Sequence, residues 1–442
     1  MDGIVRLFAR QAADLRAALT PLRERYGAGP DFGPRLNAVM PCRQLLTVIA
    51  AIVEGFGPVG PDERLRRAVR PAAELVRPHL PPASGPQRVF ACRLEELRLG
   101  LGAAPVPFLL APPTRSTGHL DAAALVARLA DLEAAGHQPW PYDLEQALLR
   151  LPREPDEEAA ARARTLASPA GRRLVPWLRD GGFGDPPTSR VESVRPGWLR
   201  LPETSRGPRL RPLVAVEPAP ATDLAIARAF CDWRPPQSST ADFGVALWPS
   251  LLPSHREVVA AHALPSVADA AHLDLRGGAA TLPVLAECAG PTGPATALGL
   301  AYGLAARHPQ DRTAAVDALL LYAANGDLDG AVVGAGVGEM CATGATKLTR
   351  VVSALGDVAT GAPGMVWLIA GAALPALLGE DRPPRGTPEL LQLAARVAAG
   401  AAGVGAGVEV AGLAAVAARG GSSQLVTEAR RLHRVLAGGH GP

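Results

Sequence analysis

The sequence predicts an all-α protein, an α-solenoid of HEAT/ARM-like antiparallel helix pairs with a short irregular or β-containing insert in the middle. Apolar residues recur at helical spacing in many segments that Gly and Pro separate. The chain is 48% hydrophobic and 4% aromatic, and its excess of Ala, Leu and Val suits close helix packing better than a β-sandwich. Helix pairs follow one another at roughly 35 to 40 residues, which is typical of helical-repeat units.

The length of the chain predicts more than one domain. Its 442 residues exceed what a single hydrophobic core usually covers. We expect an N-terminal helical array over 1–180, an irregular or β-containing linker or insert over 181–250, and a C-terminal helical-repeat array over 251–438.

The clearest helix pair of the N-terminal array follows Asp121, a residue suited to cap a helix. The first helix of the pair carries Leu125, Leu129 and Leu132 on one side, and Gly136 ends it. A proline-containing turn follows, and leucines at 144, 148 and 151 form the face of the second helix. A helix, a short turn and a second helix make the antiparallel hairpin unit of α-solenoids.

The middle of the chain has a different composition. Residues 191–201 and 210–217 are predicted to form short strands, which their prolines confine to edges or irregular turns. Three of the six tryptophans lie in this region, Trp198, Trp233 and Trp248.

The C-terminal array is predicted from a series of short helices. They are expected over Pro294–Arg307, then after a cap at Asp311, and near 331–341, 346–359, 362–378, 388–402, 408–418 and 423–436. Two show one apolar face each: Leu348, Val351, Val352 and Leu355 in one, and Leu425, Ala429, Leu432 and Leu436 in the other, which Ser422 or Ser423 caps. The uncharged stretch 362–378 is at the lower limit of a membrane span, but its prolines and its lack of basic flanks favour a buried repeat helix.

Charge and cysteine content exclude several classes of protein. Forty-five basic and 42 acidic side chains leave a net charge of +3, so no global field indicates binding to nucleic acid or to a membrane. Five scattered cysteines without a C-x-x-C pair argue against a disulfide framework or a zinc ribbon. The first residues lack the features of a signal peptide. We therefore expect a cytoplasmic protein.

Two motifs resemble ligand sites, but each also has a structural interpretation. The glycines of 334–338 and 403–407 do not complete G-x-G-x-x-G, and close helix packing through small residues accounts for them better than a dinucleotide. Residues Asn325–Gly330 match the start of a calcium loop, but Gly336 stands where a bidentate carboxylate is required. A helix-to-helix turn with capping carboxylates is the better interpretation.

No catalytic, metal-binding or cofactor-binding residue is predicted. His255 and His262 are seven residues apart with Glu257 nearby, which is not the H-E-x-x-H spacing of a zinc site, and surface histidines are the simpler interpretation. G-x-S-x-G is absent from the sequence, and a Cys–His dyad stays open. The candidates for partner binding are basic residues that could equally be solvated or complement a helix dipole, namely Lys347, Arg350, Arg430, Arg431 and Arg434.

Several segments resemble a family of mostly actinobacterial helical-repeat proteins of unknown function. They are Pro107–Asp121, Asp143–Arg153, Arg307–Leu320, Gly344–Arg350, and Ala414–Arg431, which contains most of the ending Arg-Gly-Gly-Ser-Ser-Gln-Leu-Val-Thr-Glu-Ala-Arg-Arg-Leu. The resemblance implies that this chain corresponds to the C-terminal part of longer relatives. It also implies partners such as a MoxR-type AAA ATPase, a von Willebrand factor A protein or a SWIM zinc-finger protein.

Three hypotheses of function follow. The first is a non-enzymatic helical-repeat scaffold that binds a protein partner, since stacked repeats form extended binding surfaces. The alternative is a hydrolase or metal-dependent enzyme with a site in the 181–275 region, where tryptophans and histidines gather. A weaker third is nucleic-acid binding through arginines on one face, which strong salt dependence would reveal.

Overall fold

A computed structural model describes residues 89, 92, 93, 96, 106–193, 211–217, 224–231, 233, 245–400 and 409–438. The described chain is mostly helical with one small two-stranded sheet, which confirms the predicted helical fold with a β-containing segment in its middle. Its residues cluster into two compact units. The first comprises the described residues up to 184 and those of 224–233, and the second comprises those of 185–217 and 245–438. The motif 403–407 and Trp198 lie outside the described residues.

The first unit contains five described helices, α1 (Ala122–Ala134), α2 (Pro141–Leu149), α3 (Glu157–Ala163), α4 (Pro169–Asp180) and α5 (Ala225–Cys231). The α1–α2 hairpin matches its prediction except at the cap: Asp121 occupies the N-cap position of α1, but its carboxylate accepts hydrogen bonds from Thr114 and Arg115 instead of capping the helix. The predicted leucines of both helices are buried in one core cluster. Gly136, at φ +71°, takes the left-handed conformation that ends α1.

The loop between 110 and 121 in this unit is fixed by charged side chains around it. The carboxylate of Asp143 accepts hydrogen bonds from the N–H groups of Leu110 and Ala111. Arg128 donates to the carbonyls of Leu110 and Pro112, and Arg150 donates to that of Ala111. Buried backbone groups need such partners, so two of the segments that carry the family resemblance meet here for a structural reason.

The second unit begins with a hairpin of β1 (Thr188–Ser193) and β2 (Arg211–Val216). The strands are antiparallel, with Thr188 opposite Val216 and Ser193 opposite Arg211. The second predicted strand is confirmed. The first overlaps β1 at 191–193 and begins earlier than its pattern indicated, and the rest of it, 194–201, lies outside the described residues. Leu213 and Val214 of β2 are buried, whereas Arg190 and Glu192 of β1 are exposed.

Ten helices follow in the described part of this unit, with 3-10 turns at Val245–Ser250 and Gly278–Thr281. They are α6 (Arg256–His272), α7 (Leu282–Ala286), α8 (Pro294–Ala305), α9 (Pro309–Asn325), α10 (Gly330–Ala342), α11 (Leu348–Val358), α12 (Pro363–Leu378), α13 (Thr387–Gly400), α14 (Leu413–Ala417) and α15 (Gln424–Leu436). The even-numbered helices α6, α8, α10 and α12 contact in series, and so do the odd-numbered α9, α11, α13 and α15.

Most helix bounds in this unit agree with the sequence pattern to within two residues. The exception is α14, which is confined to Leu413–Ala417. Ser423 caps α15 as predicted, accepting a hydrogen bond from the N–H of Val426. The buried face of α15 contains Val426 in place of Leu425, and that of α11 contains Ala354 in place of Val352, because each helix is rotated slightly from its expected orientation.

Asp311 does not cap its own helix, so that prediction is wrong. The N-cap of α9 is His308, and Asp311 lies inside the first turn. Its carboxylate instead accepts hydrogen bonds from the N–H groups of Gly277 and Ala279, in the turn after α6. Nearby, Arg312 donates to the carbonyls of Ala306 and Arg307 at the end of α8. The first turn of α9 thus bonds both to the turn after α6 and to the end of α8.

The uncharged segment 362–378 forms α12, which packs against α10 and α13 and buries nine of its residues. This agrees with the largely buried helix predicted there, and its membership of a repeat stays a prediction. Among the described residues, no helix combines the length and apolar character needed to cross a bilayer.

Candidate protein-interaction site

Helices α10 and α12 of the second unit pack closely against each other. Gly330, Gly334 and Gly338 recur at four-residue spacing and therefore lie on one side of α10. A Cβ atom at Gly334 would lie 2.2 Å from the carbonyl oxygen of Ile369, and one at Gly338 would lie 2.7 Å from that of Ala373. Only glycine allows the two backbones to approach this closely, which confirms the predicted packing through small residues.

The outer sides of these two helices form an uncharged surface. Val332 is 46% exposed and Leu368 is 44% exposed. Among the described residues, only Phe108 and Leu275 are other large hydrophobic side chains with comparable exposure. We call this surface the apolar face; it consists of the partly exposed residues Ala331, Val332, Ala335, Gly336, Gly364, Leu368, Gly371, Ala372, Pro375 and Ala376.

The first charge beyond the apolar face on α10 is Glu339. Its carboxylate lies 2.5 Å from the guanidinium of Arg190 on β1, and both side chains are about half exposed. This ion pair connects the hairpin to α10 and neutralises the charge next to the apolar face.

A buried polar cluster lies at the start of α6. His255 and Arg256 are both 3% exposed. The Nδ1 atom of His255 lies 2.6 Å from Oδ1 of Asp185. Arg256 donates to Oδ2 of Asp327 at 2.7 Å and to the carbonyl of Cys288, and its guanidinium lies 5.1 Å from the centre of the Tyr322 ring.

Glu257, the next residue, fixes the beginning of α8. Its carboxylate accepts hydrogen bonds from the N–H groups of Gly293, Ala295 and Thr296 and from the Thr296 hydroxyl, at 2.5 to 3.0 Å. Burial raises the pKa of Glu257 above its ordinary value of 4.5, although these hydrogen bonds oppose the shift. The carboxylate therefore supplies the partners that the first turn of α8 lacks.

The geometry of this cluster bears on the predicted histidines. His255 and His262 are 3% and 8% exposed, so the interpretation as surface histidines is wrong: α6 is buried on nearly all sides. The described residues include no group of three or more side chains suited to hold a metal ion. A cavity lined by Leu264, Thr296 and Tyr322 among others measures about 10 Å³, close to the space of one water molecule. The hypothesis of an enzyme site in 181–275 stays a prediction.

The turn that resembles a calcium loop has the predicted structural role. Asp329 caps α10 by accepting a hydrogen bond from the N–H of Ala331 at 2.8 Å. Asp327 pairs with Arg256, and its carbonyl accepts a hydrogen bond from the Thr292 hydroxyl. The carboxylates of this turn thus stabilise the passage from α9 to α10.

The five basic candidates occupy different environments. Arg350 is only 17% exposed, because it bonds to Asp274 and to the carbonyl of Ala305. Arg430 donates to three carbonyls at and after the end of α14, and Arg431 lies 3.9 Å from Glu428. Lys347, at the start of α11, and Arg434 are exposed. A role of any of them in partner binding stays a prediction.

The apolar face was not predicted from the sequence. The one sequence feature that could have indicated it is the absence of charge from α12. The same absence is equally typical of a helix that is buried on all sides. Whether an uncharged helix is covered depends on its neighbours, and the sequence pattern of one helix does not contain that information.

The chain matches no protein-family model, no curated protein and no solved structure. The resemblance to the actinobacterial helical-repeat family therefore remains a prediction, and the geometry of the chain itself has to support any proposal of function.

Proposed function

We propose that the second unit is a helical-repeat scaffold that binds a protein partner through the apolar face of α10 and α12. The observation that carries this proposal is the uncharged exposed surface around Val332 and Leu368. Single exposed apolar residues are common on proteins, but contiguous apolar patches usually mark sites of interaction.

The arrangement of helices supports an α-solenoid of paired repeats. One series of contacts runs through α6, α8, α10 and α12, and a second runs through α9, α11, α13 and α15. Two such rows are what stacked helix pairs produce, and stacked pairs present extended surfaces to other proteins.

The chemistry of the apolar face favours a partner that presents apolar side chains. Charged residues are depleted at the centre of protein interfaces, and the polar rim lies around it. The half-exposed Arg190–Glu339 ion pair beside the apolar face supports this proposal, because it is suited to belong to such a rim. An ATPase system of the MoxR type, or a von Willebrand factor A protein, is the partner class that the family resemblance implies.

Two substitutions on the apolar face test this proposal. The full chain, tagged, is incubated with lysate of its source cells, and captured proteins are quantified by mass spectrometry. We expect the affinity of the Val332→Asp/Leu368→Asp variant for a stoichiometric partner to fall about thirtyfold or more. The two charges would disrupt an interface centre that contributes about 2 kcal/mol to binding.

The matched control is Leu275→Asp, since Leu275 is an exposed leucine of the same unit outside the apolar face. It should retain the partner. Equal capture by both variants would place the binding site elsewhere, and the absence of any stoichiometric partner for the unmodified chain would refute a stable scaffold.

A further inference from the structure

The two edges of the two-stranded sheet differ in how the described residues bond to them. The N–H of Glu217 donates to the carbonyl of Pro187 at 2.8 Å, which makes these residues a hydrogen-bonded pair. Pairs alternate along an antiparallel ladder, so Ser189 and Val191 direct their backbone groups toward β2. Arg190 and Glu192 direct theirs away from β2.

Pro212 supports this assignment. It stands opposite Glu192, and a proline is tolerated there because its missing N–H would not have faced β1. The outward carbonyl of Pro212 accepts a hydrogen bond from the hydroxyl of buried Tyr302 at 3.0 Å. Helices α6 and α8 contact β2, so they cover this edge of the sheet.

Helix α8 also contacts β1, but the outer edge of β1 is not bonded in this way in the part of the chain that the structure describes. Among the described residues, no hydrogen bond uses the outward N–H and C=O groups of Arg190 or Glu192, and both residues are exposed. An open strand edge is a template for pairing with another strand.

We propose that this edge pairs with the same edge of a second copy of the chain, which joins two hairpins into a four-stranded antiparallel sheet. Charge complementarity favours this partner. Arg190 lies 2.5 Å from Glu339 of its own chain, but its side chain is about half exposed and its guanidinium has five N–H donors, so it can also meet a carboxylate of a second copy. When the twofold axis passes through Val191, Arg190 of each copy lies opposite Glu192 of the other, and both residues point their backbone groups across the interface. An axis through Arg190 or Glu192 would place like charges opposite one another, which destabilises a strand pair.

The paired edges form an isologous interface, the common type in symmetric dimers. The added strands extend a sheet that is only marginally stable with two strands. Because the contact is short, we expect a weak dimer with a dissociation constant in the micromolar range. This proposal does not rest on the apolar face, and its test uses the purified chain alone.

Charge substitutions at the edge test the register. Sedimentation velocity of the full chain over a range of concentrations should show a monomer–dimer equilibrium. Glu192→Arg should weaken the dimer about tenfold or more, since it places arginines opposite each other twice. Arg190→Glu would also place a carboxylate beside Glu339, so the charge reversal is made in a Glu339→Gln background. There the Arg190→Glu/Glu192→Arg double variant restores opposite charges and should return the dissociation constant to within about threefold of that of the Glu339→Gln chain. If the dissociation constant of the double variant stayed as high as that of Glu192→Arg, the proposed register would be wrong.

A backbone substitution tests the edge independently of charge. Glu192→Pro removes an outward N–H without removing a hydrogen bond to β2, and Glu192→Ala removes the same side chain but keeps the N–H. The proline variant should have the higher dissociation constant of the two. The circular dichroism spectrum of both variants should equal that of the unmodified chain. A chain that stays monomeric at every concentration, or a dimer that is insensitive to the proline, would refute the proposal.

Discussion

Helices α8 and α12 have nearly the same composition but different environments. Both are uncharged and consist mainly of Ala, Leu and Gly. In α8 every residue from Ala295 to Ala305 is buried, because α6, α9, α10 and α11 surround it. In α12 one side packs against α10 and α13, and the other leaves Leu368 exposed.

The N-terminal ends of the two helices also differ, in whether a side chain binds their free N–H groups. The first turn of α8 is bound by the buried carboxylate of Glu257, whereas the N-cap of α12, Ala362, provides no side-chain hydrogen bond. The core helix is fixed by packing and by a charged partner, while α12 presents uncharged surface outward. In this protein an apolar sequence therefore predicts a helix but not whether other elements cover it.

The largest expected difference between the two helices is their response to a charge. Leu300→Asp in α8 should lower the free energy of unfolding by about 4 kcal/mol or more, because it places an unpaired carboxylate in the core. Leu368→Asp in α12 should change it by no more than about 1 kcal/mol, since that side chain is already in contact with water. Chemical denaturation of both variants measures this. Similar losses would mean that Leu368 is buried.

A smaller effect is expected at the contact between α10 and α12. Gly334→Ala should destabilise the unit by about 2 kcal/mol, because the new methyl group would meet the backbone of α12. Gly336→Ala on the same helix is the control. Its Cβ would be 3.8 Å from Ala301 and Leu298, so the higher helix propensity of Ala should stabilise by about 0.5 kcal/mol. Thermal unfolding of the two glycine variants measures both changes in stability. Equal changes would contradict the close packing of α10 against α12 at Gly334.

The smallest expected effect is the pH dependence that Glu257 gives to the anchoring of α8. Because burial raises the pKa of Glu257 in the folded state above 4.5, the folded chain keeps a proton that the unfolded chain has lost. The resulting contribution to stability is complete below pH 4.5 and falls as the pH rises through the folded-state pKa. The difference in unfolding free energy between the unmodified chain and Glu257→Gln should therefore decrease with rising pH. A constant difference would argue against the raised pKa.

Much of the fold followed from local pattern. The helix pair around Gly136, the strands near 191 and 213, and the helices from Pro294 onward were predicted from apolar spacing, caps and prolines. The glycine contact of α10 was also predicted, because glycines four residues apart leave one side of a helix without side chains, where a neighbouring helix can approach. The roles of Asp311 and of the buried histidines were not predicted, since their partners are distant in sequence.

By itself, the sequence determined which segments are helices, where they end, and that small residues would let two of them approach closely. Those properties depend on backbone propensity and on neighbours within a few residues. The tertiary structure alone decided that the described residues surround α8 but leave one side of α12 exposed, that Glu257 binds the first turn of another helix, and that no described residue pairs with one edge of the hairpin. These features depend on which distant segments meet, and that is set by the packing of the whole unit rather than by any local pattern.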